Sequence, residues 1–294
     1  MIRRPTIGLP HPEAGPHVSI LHAIVLGIVQ GLTEFLPISS SGHLILVPDL
    51  LRWNDFAGDA ALNKAFDVAL HLGTLVGACW YFRRDLARYL AAAARSVMRR
   101  DLSETDARLA WLLLLSAVPG AIVGALLSST IDEHLGQPVL IGVMMIVGGG
   151  VLWWADRLGG RREVEGFAAR DAGIMGVAQA VALQPGVSRS GITITAGLWL
   201  GFDRTAATRL SFLMSLPIIA GAGLFKGLEV AGSGGLPPGS APAFLAGFLA
   251  AGISGWIAIA GLLQYLRTRT FMPFVWYRLV VGTAVVLVFA TGLR

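Results

Sequence analysis

The hydrophobic residues of this chain are grouped in long runs that short polar segments separate. A helix that crosses a bilayer needs about 20 mainly apolar residues. Six clear runs predict membrane-spanning helices at about residues 66–82, 109–127, 138–155, 207–227, 243–265 and 275–292. The pattern is typical of an all-α polytopic membrane protein.

Two further apolar segments, residues 19–50 and 172–200, are interrupted by polar residues. Pro, Gly and Ser lie in the middle of each segment and would break a continuous helix. Non-helical backbone at membrane depth is tolerated only where protein buries it or where it faces a wet cavity. Each segment therefore predicts a re-entrant or broken helix pair that enters and leaves on one side.

The two interrupted segments also resemble each other. Five residues of the first recur 149 positions later in the second: Gly27 and Gly176, Gln30 and Gln179, Ser39 and Ser188, Ser41 and Ser190, and Gly42 and Gly191. Three predicted spans follow each segment, and an odd number of crossings would turn the second copy upside down. The sequence predicts an inverted repeat with halves at about 18–156 and 171–294, in one transmembrane domain that follows a loose tail at 1–17.

Charged residues make up only 14% of the chain, well below the roughly 25% usual in soluble domains. Arg and Lys are concentrated in residues 83–108, 156–171 and 266–274, whereas 128–137 and 228–242 contain none. Cytoplasmic loops carry the excess of basic residues, so the first three segments are predicted to be cytoplasmic. The net charge of +5 therefore indicates membrane orientation, and no nucleic-acid partner is expected.

The first interruption brings ionisable groups to bilayer depth, where they are costly and usually functional. Gln30 and Glu34 are spaced i, i+4 and share one helix face. Glu34 could ligate a divalent cation or act as a base, and Gln30 could supply a carbonyl oxygen. Mg²⁺ and Ca²⁺ prefer such oxygen ligands. The alternative is a buried carboxylate that is protonated or paired with a helix end.

Three serines and a histidine follow this helix face. Ser39, Ser40 and Ser41 offer hydroxyl and backbone N–H groups at a helix start, which favours an anion, although small hydroxyl residues also help membrane helices to pack. His43 could serve as general acid, general base or nucleophile. The other histidines beyond the tail are interpreted as structural or interfacial: His22, His71 and His134.

The second interruption adds an arginine between two serines. Arg189 could grip a phosphate in bidentate fashion, and the hydroxyl of Thr193, at i+4, would face the same way if a helix begins there. The alternative is a snorkelling or capping arginine, but Gly186 and Gly191 indicate an opened backbone. We therefore expect phosphate or pyrophosphate binding. No GxxxxGK[ST] sequence is present, so no P-loop nucleotide site is indicated.

Residues 30–43, QGLTEFLPISSSGH, and residues 185–193, PGVSRSGIT, resemble the two signature motifs of the undecaprenyl-diphosphatase family, also called bacitracin-resistance proteins. The resemblance covers roughly residues 18–294. It implies an integral enzyme of the bacterial cytoplasmic (inner) membrane that hydrolyses undecaprenyl diphosphate to undecaprenyl phosphate and inorganic phosphate. It also implies a divalent cation, Mg²⁺ or Ca²⁺, and an active site that faces the periplasm.

The resemblance also assigns roles to residues. It implies catalytic roles for Glu34, Ser40, His43 and Arg189, metal ligation by Glu34 and Gln30, and substrate binding by Ser39, Ser41, Ser188, Ser190 and Thr193. Many family members have Glu where this chain has Gln30, so Glu34 must carry more of the charge that holds a metal.

Several alternatives remain open from the sequence. The nucleophile could be Ser40 with His43 as base, which we favour, or His43 itself, or water assisted by Glu34 or His43. A transporter or flippase for a phosphorylated lipid or anion is the rival function, because inverted repeats with broken helices are a transport architecture. Gly-rich spans such as 142–150 could also support a homodimer.

Overall fold

The computed structural model describes residues 18–56, 59–232 and 236–292, and for residues 128–133 it describes the backbone alone. The described residues form α-helices, one short 3₁₀ helix at Val164–Gly166 and no strand. The helices are α1 (Ile20–Phe35), α2 (Ser40–Leu51), α3 (Ala60–Tyr81), α4 (Arg83–Arg99), α5 (Thr105–His134), α6 (Pro138–Ala155), α7 (Ala169–Val181), α8 (Arg189–Trp199), α9 (Arg204–Gly232), α10 (Ala241–Leu266) and α11 (Met272–Ala290). The predicted tail, residues 1–17, lies outside the described residues.

The predicted spans are confirmed as helices. By length and composition α5, α6, α9, α10 and α11 can cross a membrane, and α3 joins them if its bent pair with α4 counts as one span. The two helices of that pair meet at 83°. Residues 83–108, which hydropathy marks only as a basic segment, thus contain the amphipathic helix α4. The chain is an all-α polytopic membrane protein.

Both interrupted segments form helix–break–helix pairs, as predicted. The breaks at residues 36–39 and 182–188 each end in a serine with a left-handed backbone, Ser39 at φ 78° and Ser188 at φ 71°. Each serine caps the helix that follows, because its hydroxyl oxygen accepts a hydrogen bond from the N–H of Gly42 (3.4 Å) or Gly191 (3.1 Å). Positive φ is uncommon outside glycine. The same unusual cap is therefore built twice, at repeat-related positions.

Helices of each half pack against helices of the other half. Helix α1 lies along α10 of the second half, and α7 lies along α5 of the first half. The last helices of the two halves, α6 and α11, pack against each other. This reciprocal packing supports a repeat of two related halves. Their opposite orientation across the membrane stays a prediction.

Close backbone contacts hold α1 and α3 against α10. A Cβ atom added at Gly31 would overlap the Ser254 hydroxyl, and one added at Gly73 would overlap the carbonyl oxygen of Phe248. Small residues let membrane helices approach this closely. The shared neighbour α10 thereby fixes the spacing between α1 and α3, the two helices that carry Glu34 and His71.

Candidate functional site

The two breaks contact each other in the interior of the protein. The N–H of Gly186 donates a hydrogen bond to the Ser39 hydroxyl oxygen at 3.1 Å, and the Ser190 hydroxyl donates to the Leu36 carbonyl at 3.0 Å. These bonds join residues about 150 positions apart in sequence. The structure thus brings residues of both interrupted segments together in one place.

The carboxylate of Glu34 lies at the centre of this contact. One of its oxygens, Oε2, accepts hydrogen bonds from Gln30 Nε2 at 3.0 Å and from the Ser40 hydroxyl at 2.6 Å. The other oxygen, Oε1, forms an ion pair with the guanidinium of Arg189. Glu34 is buried, so this pairing compensates a charge that would otherwise be expensive in the membrane. Four predicted site residues are therefore in direct contact.

Two polar atoms of this cluster have no hydrogen-bond partner among the described residues. Arg189 Nη1 and Gln30 Oε1 are buried and unpaired, as is the amide oxygen of the repeat-related Gln179. Each buried polar group left unpaired costs about 1–3 kcal/mol. An unused guanidinium donor beside an unused amide acceptor is suited to a ligand that brings both anionic oxygens and a cation.

The hydrogen bonds of His43 go to residues other than Ser40. Its Nδ1 donates a hydrogen bond to the Ser39 carbonyl at 2.6 Å, and its Nε2 lies 2.7 Å from the hydroxyl of Tyr277, whose ring is stacked on the imidazole. Both ring nitrogens are therefore engaged. The favoured sequence hypothesis, His43 as the base for Ser40, does not match this arrangement, because the Ser40 hydroxyl donates to Glu34 instead.

The remaining predicted substrate-binding residues have mainly structural contacts. The Ser188 and Ser190 hydroxyls lie 3.3 Å apart. The hydroxyl of Thr193 bonds to the Arg189 carbonyl at 2.7 Å and to the Ser211 hydroxyl of α9 at 2.6 Å. It therefore packs against α9 and, contrary to what the sequence had suggested, does not face the same way as the Arg189 guanidinium. Ser41 is half-buried, and its hydroxyl has no partner among the described residues.

An arginine that the sequence analysis missed ties both breaks together. Arg278 of α11 is fully buried, and no acidic side chain among the described residues pairs with it. Its guanidinium donates at 2.9–3.2 Å to five backbone carbonyls, those of Pro37, Met144, Met145, Gly186 and Val187. The signal was present as an ionisable residue inside an apolar run.

His71 is the second residue that the sequence analysis misjudged. It was interpreted as structural or interfacial, but its Nε2 lies 3.6 Å from Glu34 Oε2. The side chain comes from α3, which packs beside α1. His71 therefore belongs to the site.

The donor set is compatible with a divalent cation. No three His, Cys, Asp or Glu side chains lie together in the described part of the chain. A cation such as Mg²⁺ needs only one or two carboxylates, however, since water and substrate phosphates complete its coordination. Glu34 and the unpaired amide oxygen of Gln30 fit that requirement.

Comparisons with known proteins agree with this site. A family model described as "Bacitracin resistance protein BacA" matches residues 23–284. The chain is 47% identical over 278 residues to the undecaprenyl-diphosphatase of Pelobacter propionicus, covering 94% of this chain and 99% of that relative. It is 47% identical over 270 residues to the undecaprenyl-diphosphatase of Geobacter sulfurreducens, with coverage of 91% and 97%.

Proposed function

The chain belongs to the bacitracin resistance protein BacA family, and from this membership and the geometry of the site we propose that it hydrolyses undecaprenyl diphosphate. The products are undecaprenyl phosphate and inorganic phosphate. The observation that carries this proposal is the Glu34–Arg189 pair, which joins the two breaks and leaves Arg189 Nη1 unpaired. Hydrolysis recycles the lipid carrier of cell-wall synthesis.

The unpaired donor, Arg189 Nη1, is the proposed binding group for the diphosphate. Phosphoryl transfer depends mainly on positioning and on neutralising charge. Arg189 Nη1 is buried and has no hydrogen-bond partner in the described part of the chain, so a phosphate oxygen would satisfy it. Arg189 is anchored through its other nitrogen to Glu34, which keeps the guanidinium beside the reacting groups.

Ser40 is the proposed nucleophile. Its hydroxyl already donates to Glu34 at 2.6 Å, so Glu34 can take the proton as the serine oxygen attacks the terminal phosphorus. The bridging P–O bond then breaks, and undecaprenyl phosphate leaves with the electron pair. Water hydrolyses the resulting phosphoserine. His43, held between the Ser39 carbonyl and the Tyr277 hydroxyl, fixes the position of the segment that carries Ser40.

We propose Glu34 and Gln30 as holders of a divalent cation, Mg²⁺ or Ca²⁺. When bound, the cation supplies positive charge against the oxygens of the diphosphate. Gln30 contributes a neutral oxygen, so Glu34 provides the carboxylate charge alone. The fit rests on the unpaired Gln30 Oε1 beside Glu34.

The proposed location is the bacterial inner membrane, with the site open to the periplasm. The absence of Lys and Arg from residues 128–137 and 228–242 supports placing these segments outside. The start of α1 is placed near that side, because Val18 and Leu62 belong to the same buried apolar cluster as Phe244 near the start of α10. A transporter or flippase would need the anion grip but no serine nucleophile, and the matched relatives are diphosphatases.

The test is phosphate release from ³²P-labelled undecaprenyl diphosphate by the protein in detergent, with and without EDTA. We expect metal-dependent release and, after quenching in SDS at neutral pH, which preserves both phosphoserine and phosphohistidine, label on a serine. Ser40→Ala should abolish both, whereas Ser103→Ala, an exposed serine that bonds only to Asp101, should change neither. Label on histidine, or normal release by Ser40→Ala, would exclude Ser40 as nucleophile. No release under any metal condition would refute the hydrolase assignment.

A further inference from the structure

We propose that His71 is a nitrogen ligand of the cation held by Glu34 and Gln30. The site would then offer one imidazole, one carboxylate and one amide oxygen from two helices. Imidazole suits transition-metal ions, and carboxylate and amide oxygens suit Mg²⁺ and Mn²⁺ alike, so Mn²⁺, a transition-metal ion that accepts oxygen ligands, is the probe for this site. This inference deepens the proposed function, since it concerns the same site.

The orientation of the imidazole is the first argument. His71 Nδ1 lies 2.7 Å from the backbone carbonyl of Asp67, and a carbonyl only accepts hydrogen bonds, so the proton is on Nδ1. In the neutral ring Nε2 then presents its lone pair toward Glu34. Metal-binding histidines almost always donate their second nitrogen to a carbonyl or carboxylate in this way.

The separation between His71 and Glu34 is the second argument. Nε2 and Oε2 are 3.6 Å apart, which is too long for a direct hydrogen bond. Two ligands that each lie about 2.1 Å from one ion are separated by about 3.4 Å at a tetrahedral angle. A tetrahedral ion fits this separation closely, and an octahedral ion such as Mn²⁺ needs the two atoms only a few tenths of an ångström closer.

The amide of Gln30 is the third argument. Its Nε2 lies 3.0 Å from the same Glu34 oxygen, and its Oε1 is buried without a partner. A half-turn of the amide exchanges these two atoms and places the oxygen next to Oε2. The repeat-related Gln179 differs, because its Nε2 bonds to the Ser116 carbonyl. Only the first amide thus adjoins a carboxylate.

The fold holds these donors in place before any ligand arrives. Gln30 and Glu34 lie on α1 and His71 lies on α3, and both helices are fixed by backbone contacts to α10. The His71 side chain is 31% exposed whereas that of Glu34 is 4% exposed. An incoming ion would therefore meet the imidazole first and the carboxylate behind it.

The experiment measures Mn²⁺ binding to the purified full-length protein in detergent, without substrate, by electron paramagnetic resonance. Pulsed measurements report a histidine nitrogen bound to Mn²⁺, and labelling the histidines with ¹⁵N identifies it without any mutation. We expect one bound Mn²⁺ with a histidine nitrogen signal. We also expect Mg²⁺ to displace Mn²⁺ only at a large excess.

His71→Gln should lose the nitrogen signal, bind Mn²⁺ at least about tenfold more weakly and become more easily displaced by Mg²⁺. The matched control is His22→Gln, because His22 lies about 18 Å from Glu34 along α1 and pairs with Asp55. This control should bind Mn²⁺ like the wild type. Thermal unfolding of both variants shows whether they fold.

Three outcomes would overturn the proposal: Mn²⁺ bound without a histidine nitrogen signal, equal affinity in His71→Gln, or no Mn²⁺ bound by the folded wild type. In each case His71 and Glu34 form an ion pair only. Phosphate release without a histidine nitrogen signal would leave the hydrolase function standing. A histidine nitrogen signal without phosphate release would refute that function and leave the metal ligand.

Discussion

Replacing Arg278 by lysine should destabilise the protein strongly although the charge is retained. The guanidinium donates hydrogen bonds to five carbonyls. Two of them, on Met144 and Met145, belong to α6 and also accept the hydrogen bonds of that helix. The other three, on Pro37, Gly186 and Val187, are in the breaks. An ammonium group cannot span these positions, because its three donors diverge from one atom.

About two carbonyls would lose their partner in this variant, at about 1–3 kcal/mol each. We expect a loss of about 4 kcal/mol, which corresponds to roughly 8 °C in the unfolding temperature of a chain of this size. The assay is thermal unfolding in detergent, followed by tryptophan fluorescence, together with phosphate release. Arg267→Lys is the matched control, since Arg267 is exposed and bonds only to Gln264. Unfolding of Arg278→Lys within about 2 °C of the wild type would refute the reasoning.

Two further variants test the packing and the catalytic loop. Gly73→Ala would push a Cβ into a carbonyl of α10 and should lower the free energy of unfolding by about 1–3 kcal/mol, as measured by thermal unfolding. The control Gly261→Ala places its Cβ in open space and should be neutral or slightly stabilising. Equal effects of the two substitutions would contradict the close contact at Gly73. Tyr277→Phe removes the hydroxyl that bonds to the site histidine and should lower kcat about tenfold with little change in KM; an unchanged kcat would show that this bond does not position the imidazole.

Features that depend on residues close together in the sequence could be predicted. The broken helices followed from Pro, Gly and Ser in apolar segments, because backbone preferences act over a few residues. The correspondence between Ser39 and Ser188 followed from their separation of 149 positions, and both serines have a positive φ and cap the helix that follows. The contact of Gln30 with Glu34 followed from helical periodicity alone.

Contacts across the fold could not be predicted in this way. His43 meets Tyr277 across 234 positions, and Arg278 meets Pro37 across 241, and nothing in a single sequence gives such distances. His71 was misjudged for the same reason, since its partner lies on another helix. Arg278 was overlooked in an apolar run, where its charge was itself the available signal.

The balance of charge in the site bears on product release. One carboxylate, Glu34, faces the guanidinium of Arg189, and the fully buried Arg278 lies behind the same two breaks. At the breaks themselves, two guanidinium groups therefore face the one carboxylate of Glu34, and this local positive charge favours ligands in proportion to their negative charge. A prenyl diphosphate carries more negative charge than either product of its hydrolysis. The substrate should therefore displace the lipid monophosphate from the site, and zwitterionic phospholipids of the surrounding bilayer should compete poorly for it.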